Sequence, residues 1–313
     1  VSIILGDPFA VGILGGGEHW DGTEEAIIYK KRLKNQIWWT TTVRPEYKRL
    51  KYYFKLQTEN ESWFYFEDGF VSDEQMHLEG RSRQCFVFPW MNPCDVPRTP
   101  AWVNDTVWYQ IFPDRFYAAG RCDCTEKLQP YWVHEDKQDV PVYLPDENGK
   151  VWNNDFYGGN LAGIWEKLSY LQELGVELLY LNPIFFAFST HRYDTCDYGR
   201  IDPMLGTEED FRTLCEDAHG RGMKVILDGV FSHVGSRSRY FQDAVSNPDS
   251  KYRSWFDFKH YPDPYTSWWG ITDLPCIRKD NEDFLRYIID DEDSIAVHWL
   301  RAGAGGWRPG VGA

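Results

Sequence analysis

The chain has 313 residues, with 33 basic against 48 acidic side chains and a formal net charge of −15. At about 150 residues per domain this length predicts two domains, each able to bury a core. A field so negative disfavours nucleic acid and anionic membrane surfaces as partners. The longest uncharged, largely apolar run, residues 178–190, is shorter than the ~18 residues of a membrane span. The apolar start lacks a basic region and is broken at Asp7-Pro8, which argues against a signal peptide. Seven cysteines, at 85, 94, 122, 124, 196, 215 and 276, form an odd, scattered set that fits reduced thiols in a cytoplasmic protein. Cys122 and Cys124 have no second Cys/His pair at zinc spacing. The 15 Trp, 19 Tyr and 19 Phe are core material first, yet rings beside carboxylates also suit a neutral polyhydroxylated ligand.

Residues 1–95 read as strands. Segments 25–31, 36–42, 50–58 and 63–66 are rich in Ile, Tyr, Trp, Phe and Thr and are split by polar stretches, the pattern of an antiparallel sandwich. Pro89, Pro93, Pro97 and Pro100 then stiffen a connector, and a linker is placed at 96–104. From 105 the pattern changes. A strand-like run at 106–112 leads into a polar loop, 117–157. Asn160 then caps a helix with an apolar stripe at 161, 164, 165, 168, 171 and 174, ended by Gly175. A buried strand follows at 176–181. Thr207 caps the next helix, Gly220 and Gly222 end it, and 224–230 is the next strand. A third helical stretch, 282–302, has an acidic interruption at 290–293 that reads as a solvated face, and a fourth strand belongs within 303–311. Strands buried on both faces and alternating with helices make a parallel α/β sheet. The loop 117–157 replaces a dinucleotide-binding glycine motif, and a long insertion at about 235–278 follows the third strand, so a (β/α)8 barrel is favoured over an open sheet.

Specific runs sharpen this reading. Residues 105–116 (DTVWYQIFPDRF) resemble the first barrel strand of the α-amylase superfamily, glycoside hydrolase family 13. More narrowly they resemble its cyclomaltodextrinase, neopullulanase and maltogenic amylase group. GGNLAGI at 158–164, HRYDT at 191–195, DGVFSH at 228–233, SWWG at 267–270 and HWLR at 298–301 follow in that group's order, and residues 1–95 resemble its starch-binding-type sandwich. The implied fold is α/β, the N-terminal half of a (β/α)8 TIM barrel at 105–313, preceded by a partial all-β immunoglobulin-like sandwich whose front is expected to be missing. The implied parent is a cytoplasmic, homodimeric hydrolase that cleaves α-1,4-glucosidic bonds in cyclodextrins, pullulan or maltooligosaccharides with retention. The alternative is a non-catalytic glucan-binding protein.

A retaining glycosidase needs two carboxyl groups about 5–5.5 Å apart. The family places its nucleophile two residues after an Arg, in a run like Gly-Trp-Arg-Leu-Asp. Here Gly306, Trp307 and Arg308 match, but Gly310 stands at the nucleophile position. The family's other catalytic carboxylates lie on later strands, so this chain is expected to be inactive, with an end that is truncated or erroneous. By the same resemblance His233 bonds the sugar in the cleaving subsite, Tyr193 stacks beneath it, and Arg308 holds the nucleophile ionised, oriented by a charge-assisted pair with Asp228. Trp268 and Trp269 suit either outer subsites or packing of the insertion. No cofactor is expected. Calcium in particular is disfavoured, because the group's calcium loop is replaced by Ala118–Asp123, with Arg121 in it, and by Asn160 where an Asp is common.

Overall fold

The structure is a computed structural model and describes residues 1–8, 22–76, 84–88, 91–94, 96, 98–120, 122–143 and 145–310. Pro89, Pro97, Arg121 and the chain end at 311–313 lie outside the described residues. The chain divides into two compact units, Val1–Ala101 and a second from Trp102 onward.

The first unit is antiparallel throughout. Strands Thr23–Ala26, Ser2–Gly6, Leu50–Gln57, Ser62–Phe66 and Gly69–Ser72 lie side by side in that order, and Phe86–Phe88 also pairs with Leu50–Gln57. Period-two alternation sets the core: Phe64 and Phe66 point inward with Val71 and Cys85, while Trp63 and Tyr65 point out. Tyr53 stacks on Phe66 at 4.6 Å. The expected strand over 25–31 is in fact two. Ile27 is 3% exposed and its neighbour Ile28 90%, and between them the chain leaves the large sheet for a separate hairpin, Tyr29–Leu33 with Gln36–Thr40.

The second unit is built on a parallel sheet whose strands run in chain order: Trp108–Ile111, Leu178–Leu181, Lys224–Gly229 and Gly306–Pro309. Leu181 lies opposite both Ile111 and Leu227, and Asp228 lies opposite Arg308. Pro309, a poor residue inside a sheet, is the last residue of a strand with one neighbour, and pairing passes to the Gly310 amide, which donates to the Gly229 carbonyl at 2.9 Å.

The helices cover this sheet through local chemistry. Asn160 caps as expected, its Oδ1 accepting from the Gly163 amide at 2.8 Å. The expected single helix is two, Leu161–Glu166 and Leu168–Glu173, broken at Lys167. Only part of the stripe is buried. Leu161, Ile164, Leu168 and Leu171 are, but Trp165 and Leu174 are 43% and 53% exposed. Trp165 instead donates its indole N–H to Asp217 at 2.7 Å. Thr207 and Asp210 form a reciprocal capping box for Glu208–Gly220. The third helical stretch winds through a π-turn at Arg286–Asp290, breaks at the exposed acidic run 291–293, and resumes at Ile295–Arg301.

Two glycines let the loop after the first strand close on the first helix. A Cβ at Gly159 would sit 2.1 Å from the Pro113 carbonyl oxygen, and one at Gly163 would sit 1.9 Å from that of Tyr117. Both obstacles are backbone, so neither gives way cheaply. Gly159→Ala and Gly163→Ala are therefore expected to destabilise the second unit by about 3 kcal/mol or more. Gly220→Ala, with nothing within 4 Å of its Cβ and a helical setting, should be neutral or stabilising by up to about 1 kcal/mol. Urea midpoints followed by circular dichroism check this, and equal midpoints for all three variants would contradict it.

Candidate active site

The carboxyl ends of the four parallel strands and the loops that follow them enclose a cavity of about 600 Å³. This is the face on which barrel enzymes assemble their sites. Tyr193, His233, Trp268, Arg308 and Gly310 all line it. Four of the five residues expected at the site thus share one cavity, and the fifth, Asp228, lies beneath them.

Asp228 ends the third strand and is 1% exposed. Its Oδ2 accepts hydrogen bonds from the hydroxyls of Tyr180, on the second strand, at 2.6 Å and of Tyr193 at 2.8 Å. Burial, with the carboxylate beside them, pushes both phenols up, Tyr193 to about 12, so both stay protonated donors. The expected charge-assisted pair with Arg308 is looser than anticipated. Arg308 Nη1 stands 3.7 Å from Oδ1, ion-pair rather than hydrogen-bond distance, and the Arg308 side chain is 45% exposed. The two tyrosines are what hold Asp228. Tyr180 was hidden from sequence reading inside an apolar strand, where its single hydroxyl was the only signal.

His233 is 4% exposed. Its Nδ1 lies 3.0 Å from Ser232 Oγ, and its Nε2 has no hydrogen-bond partner among the described residues. Burial pulls the imidazole down to about 4, so it is neutral at pH 7. The Trp268 ring lies 5.1 Å away, and Trp269 stacks on Trp268 at 4.1 Å with its own side chain 76% exposed. Trp268 therefore lines the cavity; Trp269 backs it from outside.

The segment 189–194 that carries Tyr193 is pinned from below. Arg192 is 1% exposed, adopts φ +60°, and donates from Nε to Asp202 at 2.8 Å and from Nη1 to the Thr190 carbonyl at 2.7 Å. Lys127, also buried, donates to the same Asp202 carboxylate. Burial opposes the charge on Asp202, but Arg192 and Lys127 together hold its carboxyl below the ordinary value. Sequence reading assigned Asp202 no role. Lys127, far away in an irregular loop, carried no signal at all.

In the loop after the first strand several polar atoms are engaged within the protein. Asn160 Oδ1 is taken by the Gly163 and Ala119 amides, and Asp123 Oδ1 by Thr125. The adjacent Cys122 and Cys124 place two sulfurs 3.5 Å apart, soft donors that calcium does not select. Among the described residues no three His, Cys, Asp or Glu side chains gather to hold a metal ion. No helix there is long and apolar enough to cross a membrane.

Comparison with known proteins accords with this architecture. The family described as "Alpha amylase, catalytic domain" matches residues 110–311, and "Alpha amylase, N-terminal ig-like domain" matches 1–92. The chain is 37% identical to an intracellular maltogenic amylase of Bacillus subtilis, across 98% of this chain and 49% of that protein. It is 36% identical to a cyclomaltodextrinase of Geobacillus thermopakistaniensis, with 98% and 49% covered. Among solved structures, a cyclic α-maltosyl-(1→6)-maltose hydrolase of Arthrobacter globiformis in complex with that sugar superposes with a TM-score of 0.56 at 35% identity, covering 68% of this chain and 45% of that one. The chain spans about half the length of the curated relatives it matches. Its second unit corresponds to the first half of their TIM barrel, and its first to their immunoglobulin-like domain. The chain belongs to the α-amylase family.

Proposed function

We propose that the cavity holds a glucosyl unit of an α-1,4-glucan, and that the parent protein is a cytoplasmic, homodimeric retaining hydrolase of cyclodextrins, pullulan or maltooligosaccharides. The observation that carries this reading is the convergence of Tyr193, His233, Arg308 and Gly310 on one cavity. The Tyr193 ring, fixed by its hydroxyl bond to Asp228, offers a face for the C–H side of a sugar. Neutral His233 lines the cavity, and a small turn of its ring would bring the buried Nε2 to a sugar hydroxyl. Among the described residues, a Cβ placed at Gly310 would meet the Gly229 carbonyl at 3.6 Å and Arg308 Nη1 at 4.0 Å. There is room for the Cβ of an Asp there, and the guanidinium beside it would keep its carboxylate ionised, as a nucleophile requires. With glycine at that position the chain presents no nucleophile. The second reading, a glucan-binding protein without hydrolysis, is favoured by that same glycine.

Calorimetry and a reducing-sugar assay on the purified chain test the proposal together. The chain should bind maltotriose and release no reducing sugar above a buffer blank. Tyr193→Ala should weaken binding by about fivefold, the equivalent of a stacking contact of ~1 kcal/mol, and His233→Ala should weaken it further. Reducing-sugar release, or wild-type affinity in both variants, would contradict the assignment.

The buried imidazole also fixes a pH dependence. Its depressed value means that His233 adds stability above its unfolded value of about 6.5, and that this contribution is lost as pH falls towards about 4. Maltotriose affinity should stay level from pH 8 to about 6 and fall towards pH 4 together with the melting temperature. In His233→Asn the acid loss of stability should shrink. An unaltered melting profile in that variant would remove His233 from the account.

A further inference from the structure

Among the described residues, the irregular loop 117–157 and the insertion at 235–278 meet at the cavity through an ion pair, Lys150 Nζ to Asp273 Oδ2 at 2.7 Å. Both residues line the cavity, and both are half-exposed, with side chains 37% and 52% accessible. They therefore sit at the rim, whereas His233 lies at the floor.

Each anchor is built locally. Asp146 Oδ1 accepts from the Asn148 and Lys150 amides at 2.8 and 2.9 Å, and the Asp146 amide donates back to the Lys150 carbonyl at 2.9 Å. Gly149, at φ +78°, makes the turn possible. The other carboxylate oxygen of Asp146 accepts from the Trp152 indole at 2.9 Å, and Lys150 Nζ lies 4.3 Å from the centre of that ring. The turn thus delivers Lys150 and Trp152 to the rim as one unit. On the other side the Asp273 carbonyl accepts from the Ser236 amide at 2.7 Å, and Leu274 beside it lines the cavity. Among the described residues, two separately braced loops are joined by this ion pair between half-exposed ends and by the Arg237 guanidinium 5.9 Å from the centre of the Trp152 ring.

We infer that the Lys150–Asp273 pair is a specificity-determining strap, closing the rim over short α-glucans and being displaced by long or cyclic ones; this rests on the glucan reading of the cavity. An exposed ion pair contributes little, so the strap opens thermally and restricts rather than forbids longer ligands. A short ligand seated at the floor leaves it closed. A glucan that extends past the rim has to break it, and its affinity is lowered by the free energy of the pair.

The test is a calorimetric series with maltose, maltotriose, maltoheptaose and β-cyclodextrin on the full chain. It compares wild type, Lys150→Ala, Asp273→Ala and the charge-swapped double variant Lys150→Asp with Asp273→Lys. Both single variants should bind maltoheptaose and β-cyclodextrin up to about fivefold tighter, the equivalent of an exposed pair of about 1 kcal/mol, with maltose unaltered. The swap should restore the wild-type ratio between long and short ligands. Amide exchange over 146–152 should be slower in wild type and in the swap than in either single variant. Equal shifts for all lengths, no shift, or selective loss of the long ligands would each overturn the strap while leaving the glucan reading standing. A wild-type chain that binds none of these sugars, although its 146–152 amides are protected, would overturn the glucan reading, and the inference with it.

Discussion

The site depends on one buried carboxylate. Asp228, at the end of the third strand, draws the Tyr180 hydroxyl from the second strand and the Tyr193 hydroxyl from the loop beyond it onto a single oxygen. Its other oxygen faces Arg308, directly opposite on the fourth strand. Hydrogen bonds to a charged acceptor are roughly twice as strong as neutral ones, and an ionised carboxylate is costly to bury without them. Tyr180, Tyr193 and Arg308 are therefore tied to the same group. Moving Asp228 would displace the Tyr193 ring and loosen the Arg308 guanidinium together.

A second buried charge cluster supports the first from the outside. Asp202 receives both Arg192 and Lys127, and Arg192 holds a left-handed backbone conformation that a non-glycine residue adopts at a cost. The benefit appears one residue on, where Tyr193 points its hydroxyl at Asp228. Lys127 belongs to the loop that supplies Lys150 at the rim, so the floor and the rim of the cavity rest on one connected stretch of chain. At that rim Lys150 meets Asp273, and both charged ends are half-exposed.

How much of this was legible in sequence follows from the range of each interaction. Helix starts at Asn160 and Thr207 were readable, because a capping side chain bonds an amide three residues on. The break at Lys167 was not, because the apolar stripe runs through it unchanged. The division of 25–31 into two strands was hidden for a related reason: Ile27 and Ile28 look alike, and only the change of sheet buries one and exposes the other. At the site, the runs around Tyr193, His233 and Arg308 pointed to residues that share a cavity. Their partners did not announce themselves. Tyr180 sat in an apolar strand, Lys127 in an irregular loop, and Lys150 and Asp273 in separate insertions joined only by the fold.

The central claim is that the cavity is a sugar site organised by Asp228. A crystal structure of the chain grown with maltotriose tests it most directly. The account predicts a glucosyl ring lying on Tyr193, with one hydroxyl at hydrogen-bond distance from His233 Nε2 and another reaching Arg308, and with the Tyr180–Asp228–Tyr193 bonds unaltered. Maltotriose bound elsewhere on the chain, with this cavity holding only solvent, would contradict it.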